Sequence, residues 1–378
     1  MLEAVFWASV GLILYTHAGY PLLLWLLWLL AHARRTHTTG LHPAQDPPPR
    51  ISLIVAARDE EQVIADKVAN ALGLDYPRER LELIVASDGS DDRTAELARG
   101  AGADTVLELP RAGKVRTQDA GVQRASGEIL VFSDANTQLD PQALRRLVAA
   151  FADAGVGYAC GHVEFIQGDG SNQEGAYWRY ETAIRALESR LGSVTAGNGG
   201  LYATRREAYL QVDPRMGHDL SLPFNMVKRG WRAVYEPTAR GAEKMTPDNE
   251  EEYRRKRRMM SRTWLILLRS GMLSPRGYGP LYALQVVSHR LLRYLTPFLH
   301  LIAFGTNVAL LGRGWVYSVT FGLQLGLLAA AALARLVPRR PLQLARYYVL
   351  VTAAPATGLW DSLRHGVPAG WEKAEGTR

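Results

Sequence analysis

Between Ile51 and Ala135, four short apolar runs alternate with helix-like stretches. The runs are ISLIVAA, LELIVAS, TVLELP and EILVFSDA; between them lie EEQVIADKVANALGL, DDRTAELARGAG and KVRTQDAGVQRASG. Strand and helix alternating in this way leave few topologies open, because parallel strands need a crossover, usually a helix, to join them. The pattern predicts βαβ units and a mostly parallel, doubly wound sheet. Beyond Gly155 it loosens: YACGHVEFI reads as a strand, 174–191 as a helix, and NGGLYATRREAYL as a strand turning into a helix. There is no internal repeat.

Two of the runs end in acid. LELIVAS passes into Asp88-Gly89-Ser90-Asp91-Asp92, and EILVFS passes into Asp134-Ala135-Asn136. In a parallel sheet both ends share the carboxyl edge, where open α/β sheets hold their ligands. Carboxylates gathered there repel one another unless a cation or a hydrogen-bond donor sits among them. Each acid alone reads as turn or cap chemistry: an Asx turn at Asp134 and Asn136, an N-cap at Asp219. The ordered set points instead to a ligand site. No G-x-G-x-x-G follows the first strand, where Ala57-Arg58-Asp59-Glu60 stands, so a dinucleotide-dependent oxidoreductase lacks its fingerprint.

Residues 5–30 contain no Lys, Arg, Asp or Glu, and the run exceeds the ~20 apolar residues that cross a bilayer. It is too long for a cleaved signal peptide, no basic residue precedes it, and no small-x-small site comes after it. Arg34 and Arg35 come directly after the run, so the positive-inside rule places the chain beyond them in the cytoplasm. The net charge of +7 raises nucleic acid as a partner. The basic residues, however, crowd into Arg254-Arg255-Lys256-Arg257-Arg258 and beside apolar segments, where membrane lipids are the expected partner and nucleic acid is not. Cys160 is the single cysteine, which excludes an intramolecular disulfide and agrees with a cytoplasmic domain. The expected organisation is a transmembrane helix over 1–33, a Pro-rich linker over 34–50 and a cytoplasmic domain over 51–249. Interfacial amphipathic helices over 250–290, two or three transmembrane helices over 291–365 and a tail over 366–378 complete it. Such a chain is expected to be a multi-pass protein of the cell's inner (plasma) membrane.

The motifs IVAARDEE, IVASDGSDDRT, Gly113-Lys114, GEILVFSDAN, AGNGGLYATRR and GHDLSLPFNMVKRG succeed one another over roughly residues 50–265. In that order they resemble the inverting family-2 glycosyltransferases of GT-A fold. The nearest flavour is the membrane-embedded branch of cellulose, hyaluronan and poly-N-acetylglucosamine synthases and ceramide glucosyltransferase. The resemblance implies a Rossmann-like GT-A domain flanked by transmembrane helices and a UDP-sugar donor. It places Ala57, Arg58, Glu60 and Asp88 at the nucleotide, with Asp88 accepting the uracil imide N–H, and Lys114 at the pyrophosphate as a point charge.

Asp134-Ala135-Asn136 then stands at the family's DxD motif, whose usual work is to bind Mg²⁺ or Mn²⁺ through oxygen ligands. Asn136 offers an amide oxygen where the second acid is usual, which leaves more of the charge to Asp134. Asp219 matches the general base that takes the acceptor hydroxyl proton, and His218 stands at the place of the usual Glu. Asn198, Gly199 and Gly200 fit the loop that supports donor sugar and acceptor. The Q/RxxRW element has an approximate counterpart in Arg258, Arg262 and Trp264, with the tryptophan one position late. An interfacial helix explains the same residues equally well. The implied acceptor is lipid-linked or a polysaccharide. A processive exopolysaccharide synthase and a non-catalytic nucleotide-sugar-binding membrane protein are the alternatives; the former, with so few spans, implies an export partner or an oligomer.

Overall fold

The computed structural model describes residues 1–34, 47–166, 174–244, 249–337, 339–367 and 370. Most of the linker and of the carboxyl tail expected from the sequence therefore lies outside the described residues. Among the described residues eight strands form one sheet in the order β3-β2-β1-β4-β7-β6-β8-β5. They are β1 (Ile51–Ala57), β2 (Leu81–Asp88), β3 (Thr105–Leu109), β4 (Ile129–Asp134), β5 (Gln138–Leu139), β6 (Val156–Ile166), β7 (Leu201–Arg205) and β8 (Arg232–Lys244).

The sheet is mixed: six of the eight strands share one direction, in line with the expected mostly parallel sheet, and β7 and β5 run against them. β3, β2, β1 and β4 run parallel, as the alternation predicts. β7 then inserts beside β4 in the opposite direction, β6 pairs antiparallel with β7, β8 runs parallel to β6, and β5 closes the edge antiparallel to β8. Apolar periodicity reports which residues are buried and leaves strand direction open, so the reversal at β7 has no local signature.

Helices α3 (Ile64–Leu72), α4 (Thr94–Gly100) and α6 (Ala143–Ala149) cover one face, where Leu53 and Val55 of β1 join their core. Ile54, pointing the other way as strand alternation requires, joins Phe132 and Tyr202 in a second core. On that side lie α5 (Lys114–Arg124) and α8 (His218–Lys228). Gly121 lets α5 approach: a methyl there would stand 2.6 Å from Ile54.

The remaining helices form a frame beside this domain. α1 (Leu2–Leu14) and α2 (Tyr20–Arg34) are joined by a π-helical turn. α7 (Glu174–Leu191) packs on α2, and α9 (Asn249–Arg269) lies along α13 (Arg340–His365). The short α10 (Pro280–Gln285) leads to α11 (Leu292–Ala309), which packs on α1, and α12 (Trp315–Leu333) comes next. Among the described residues two stretches are long and apolar enough to cross a membrane by length and composition, Leu2–Ala31 and Trp315–Leu333. Of the helices expected to span over 291–365, α12 meets that composition, and α11 and α13 fall short of it.

Candidate active site

The carboxyl edge of β1 and β2 is assembled by hydrogen bonds between their two loops. Asp59 adopts a positive φ of 49°, rare for a residue with a side chain. Its amide donates to Ser90 Oγ (3.0 Å), and its Oδ1 accepts from the Asp91 amide (2.8 Å). The Glu60 amide donates to Thr94 Oγ1 at 2.7 Å. Ala57 and Glu60 are buried, and Arg58 pairs with Asp59 at 3.6 Å.

Asp88, at the end of β2, has no exposed surface. Its Oδ1 accepts the amides of Ala112 (2.6 Å) and Gly113 (3.0 Å). Gly113, at a φ of 93°, precedes α5, so Asp88 holds the turn that starts the helix and thereby sets where Lys114 stands. Lys114 Nζ in turn pairs with Asp134 Oδ1 at the end of β4. The two acids predicted to share one edge do so, joined through the start of α5.

A loop from Ala196 to Gly200 passes over this pair. Asn198 fixes it by donating to the Gly161 carbonyl and accepting the Leu201 amide at 2.9 Å. A side chain at Gly199 would begin 3.5 Å from Lys114 Nζ and 3.8 Å from Asp134 Oδ2, so glycine keeps the space above both charges open. Gly197 donates to the Asp219 carbonyl at 2.7 Å, tying the loop to the start of α8. Asp219 lies in the first turn of α8, whose N-cap is Gly217 with no side-chain capping bond; the capping role weighed for Asp219 has no hydrogen bond to support it. The positive end of α8 favours its carboxylate. His218 is buried, bonded through Nδ1 to the Tyr202 hydroxyl (2.8 Å) and edge-on to Phe132 and Tyr209. Burial pushes its imidazole down to about 3, with the Lys114 charge adding to the effect, so it is neutral.

Sequence reasoning missed two residues beneath the site. Lys67, fully buried on α3, donates to Ser133 Oγ (2.8 Å) and to the Thr137 carbonyl, the two residues that flank Asp134-Ala135-Asn136. Burial lowers its ammonium to about 7, against the attraction of Asp134 and Glu243. The available signal was a cation on the apolar stripe of α3, beside Ile64, Val68 and Ala71. Glu243 reaches the same place from β8 and accepts from Thr137 Oγ1; burial and the neighbouring Asp134 raise its carboxyl. Ser133 also donates to the Gly200 carbonyl at 2.9 Å. The end of β4, the glycine loop and β8 are thus one hydrogen-bonded unit.

Asp134, Lys114, Gly199, Asp219 and Glu243 line a single cavity of about 820 Å³. It continues away from the sheet between α7, α9 and α13, where Tyr177, Tyr347, Val351 and Pro355 line it. Arg262 also lies on its wall. Trp264 does not: its Nε1 donates to the Pro355 carbonyl (2.8 Å), and its ring packs on Tyr294 and Phe298. Neither Arg258 nor Asn136 is among the lining residues.

Among the described residues no group of three His, Cys, Asp or Glu side chains is placed to hold a metal. Asp134 is part-buried and its Oδ1 pairs with Lys114, but it lines the cavity, and a single carboxylate can serve Mg²⁺, which is commonly held by one or two carboxylates together with substrate phosphates and water. The residues present fit a divalent ion that arrives with a diphosphate.

The chain matches Glycosyltransferase like family 2 over residues 48–261 and belongs to that family. An N-acetylglucosaminyltransferase of Rhizobium leguminosarum bv. viciae is 29% identical over 310 residues, 74% of this chain and 68% of that one. A poly-beta-1,6-N-acetyl-D-glucosamine synthase of Staphylococcus aureus is 24% identical over 240 residues, 58% of each chain. This chain thus spans about two thirds of the first relative and less of the second. The mannosyltransferase PcManGT from Pyrobaculum calidifontis, solved in complex with GDP-Man and Mn²⁺, superposes with a TM-score of 0.72 at 22% identity, covering 97% of this chain and 99% of that one. The fold is GT-A, and the chain is a glycosyltransferase.

Proposed function

We propose that this chain is a membrane-anchored, inverting glycosyltransferase that moves a sugar from a UDP-sugar to a lipid-linked or polysaccharide acceptor at the cytoplasmic face of the inner (plasma) membrane. The observation that carries the reading is the placement of Asp134, Lys114 and Asp219 on the wall of one cavity, beneath a glycine loop. Ala57, Arg58 and Glu60 belong to the corner assigned to the nucleotide, Asp88 supports that corner through the Ala112 and Gly113 amides, and Lys114 meets the diphosphate. A divalent ion, Mg²⁺ or Mn²⁺, held by Asp134 with Asn136 near it, supplies charge stabilisation to the departing UDP. Asp219 takes the proton from the acceptor hydroxyl as that oxygen bonds to the anomeric carbon and the bond from this carbon to the UDP oxygen breaks. Attack from the face opposite UDP inverts the configuration. Asn198, Gly199 and Gly200 support the two sugars, and Arg262 faces the acceptor side.

The helical frame supports the membrane reading. Leu323 of α12 is 68% exposed and Trp315 76%, an apolar surface suited to lipid rather than water. A multi-pass arrangement adds α11 and α13 to the two apolar stretches, with their polar side chains turned to one another, as in the hydrogen bond between His300 Nε2 and the Tyr348 hydroxyl at 2.8 Å.

The test is UDP or GDP release by the detergent-purified protein across a panel of nucleotide sugars with Mg²⁺ or Mn²⁺. Release from one donor that disappears in Asp219→Asn identifies the transferase and its sugar; the expected loss is about 10²- to 10⁴-fold, with nucleotide binding retained. Loss of nucleotide binding in that variant would instead make Asp219 a structural residue.

A further inference from the structure

The glycine loop beside Asp219 is held from behind by a carboxylate that is not among the residues lining the cavity. Glu188, near the end of α7, has no exposed surface. Its Oε2 accepts both the Thr195 amide and the Thr195 hydroxyl at 3.0 Å, immediately before the loop begins at Ala196. Further along, the Gly197 amide donates to the Asp219 carbonyl at 2.7 Å. Glu188 thus reaches the backbone of Asp219 through Thr195 and Gly197. Arg290 Nε secures the same threonine by donating to its Oγ1 at 2.9 Å.

The other oxygen of Glu188 meets the helical frame. Oε1 accepts from the Tyr20 hydroxyl at 2.6 Å, and His289 Nδ1 lies 2.8 Å from it. Tyr20 opens α2, within the apolar stretch Leu2–Ala31, directly after the π-helical turn Tyr15–Gly19. His289 lies in a second π-helical turn, Val286–Leu291, between α10 and α11. The two turns meet through a hydrogen bond of 2.8 Å between the Tyr15 hydroxyl and Ser288 Oγ. Such turns are rare and recur at functional sites. Tyr20, His289 and Thr195 are all buried.

Burying a carboxylate completely is costly unless hydrogen bonds use its lone pairs. Apolar packing holds α7 against α2 without that cost, as Ile184 does with Tyr20 and Leu24 one turn earlier. What the carboxylate adds is direction, because charge-assisted hydrogen bonds fix geometry as well as contact.

We infer that Glu188 is a positioning residue for transfer: it registers the loop, and through Gly197 the backbone of Asp219, against α2 and the turn that carries His289. This rests on the glycosyltransferase reading. The cavity runs on between the helices, so a loop registered to the helical frame keeps the base in line with an acceptor that lies there. The nucleotide corner stands across β4, on β1 and β2, and takes no part. Loss of the link should therefore lower turnover and leave donor binding alone.

The experiment compares Tyr20→Phe, Thr195→Val, their double variant and Tyr15→Phe in the detergent-purified full chain. It measures kcat per nucleotide-binding site, donor KM and hydrogen exchange of the amides from Thr195 to Gly200. Tyr20→Phe and Thr195→Val should each lower kcat by about 3- to 30-fold, speed exchange in the loop and leave donor KM and UDP affinity unchanged. The double variant should lose less than the product of the two single losses, since both act on one carboxylate. Tyr15→Phe removes a hydrogen bond between the same two turns but away from Glu188, so its kcat and loop exchange should match the native chain. Glu188→Gln keeps the size but cannot accept on both sides, and should lose the most turnover; if it fails to fold, the two hydroxyl deletions still decide. Native kcat and exchange in Tyr20→Phe, an equal loss in Tyr15→Phe, or fully multiplicative losses overturn the inference. So does a raised donor KM at native kcat, which would make Glu188 part of donor binding. A native chain that releases no UDP or GDP from any donor sinks the glycosyltransferase reading and the role in transfer with it, whereas loop exchange reports on the Glu188 link whatever the activity.

Discussion

Asp88 and Asp134 close neighbouring regions of one sheet edge, each ending an apolar strand, and they do different work. Asp88 has no exposed surface, and its carboxylate is taken up by two backbone amides. Asp134 stands on the cavity wall and meets a lysine side chain. The difference lies in what the neighbouring loop offers. Beside β2, the turn before α5 presents amides to Asp88; around β4, the glycine loop leaves Asp134 facing open space. One acid builds the site, and the other is presented by it.

That contrast can be broken by substitution. Asp134→Asn should lower transfer by about 10²-fold or more, the scale on which a lost transition-state charge interaction reads. Its thermal midpoint should stay near that of the native chain; a variant with full activity and unchanged metal response would make Asp134 as structural as Asp88. Asp88→Asn should do the reverse, costing about 1.5–3 kcal/mol of stability in denaturant unfolding as charge-assisted bonds to the amides are lost. Activity should fall only as the position of Lys114 loosens. If stability is unchanged while UDP affinity collapses, Asp88 reads the nucleotide directly.

His218 sharpens the comparison from a third position. Its folded value of about 3 lies below its ordinary 6.5, so between those limits the unfolded chain holds a proton that the native chain refuses. Its contribution to stability is present above 6.5 and is lost as pH falls towards 3, with a slope of about 1.4 kcal/mol per pH unit. Acid unfolding of His218→Gln should be shallower over that window, and an identical profile would rule the burial argument out. The smallest effect is expected from Asn136→Asp. It should lower the metal concentration for half-maximal activity by several-fold, since a second carboxylate strengthens a hard-cation site. Titrating activity with Mn²⁺ checks this, and an unchanged midpoint would place residue 136 outside the metal's reach.

How far the sequence was readable depends on the information that apolar spacing encodes. Burial of β1, β2 and β4 and the meeting of Asp88 with Asp134 at one edge could be inferred, because each depends on local pattern and on the parallel rule. The reversed direction of β7 could not, since direction is set by the path of the chain around the sheet. Glu243 lies far along the chain from Asp134, and only the β8 pairing that carries it past β5 and β6 brings the two together. Lys67 was visible as an oddity on α3, but its target was not, because Ser133 and Thr137 meet it through tertiary packing alone. Trp264 shows the opposite case, a residue of the expected type that packs on helices and stays off the cavity wall.

The fastening of Asp88 to the amides of Ala112 and Gly113 bears on how this site tells one donor from another. The amides at the start of a helix are an anion receptor with fixed directions, able to register the shape of a phosphate group. Here two amides before α5 are engaged by a residue of the chain itself, and the cation next to them is Lys114, a flexible point charge. Such a charge senses how negative a diphosphate is and little about its orientation. With Lys114 at the donor diphosphate, as proposed above, discrimination between nucleotide sugars is expected at the two extremities of the donor, the base and the sugar.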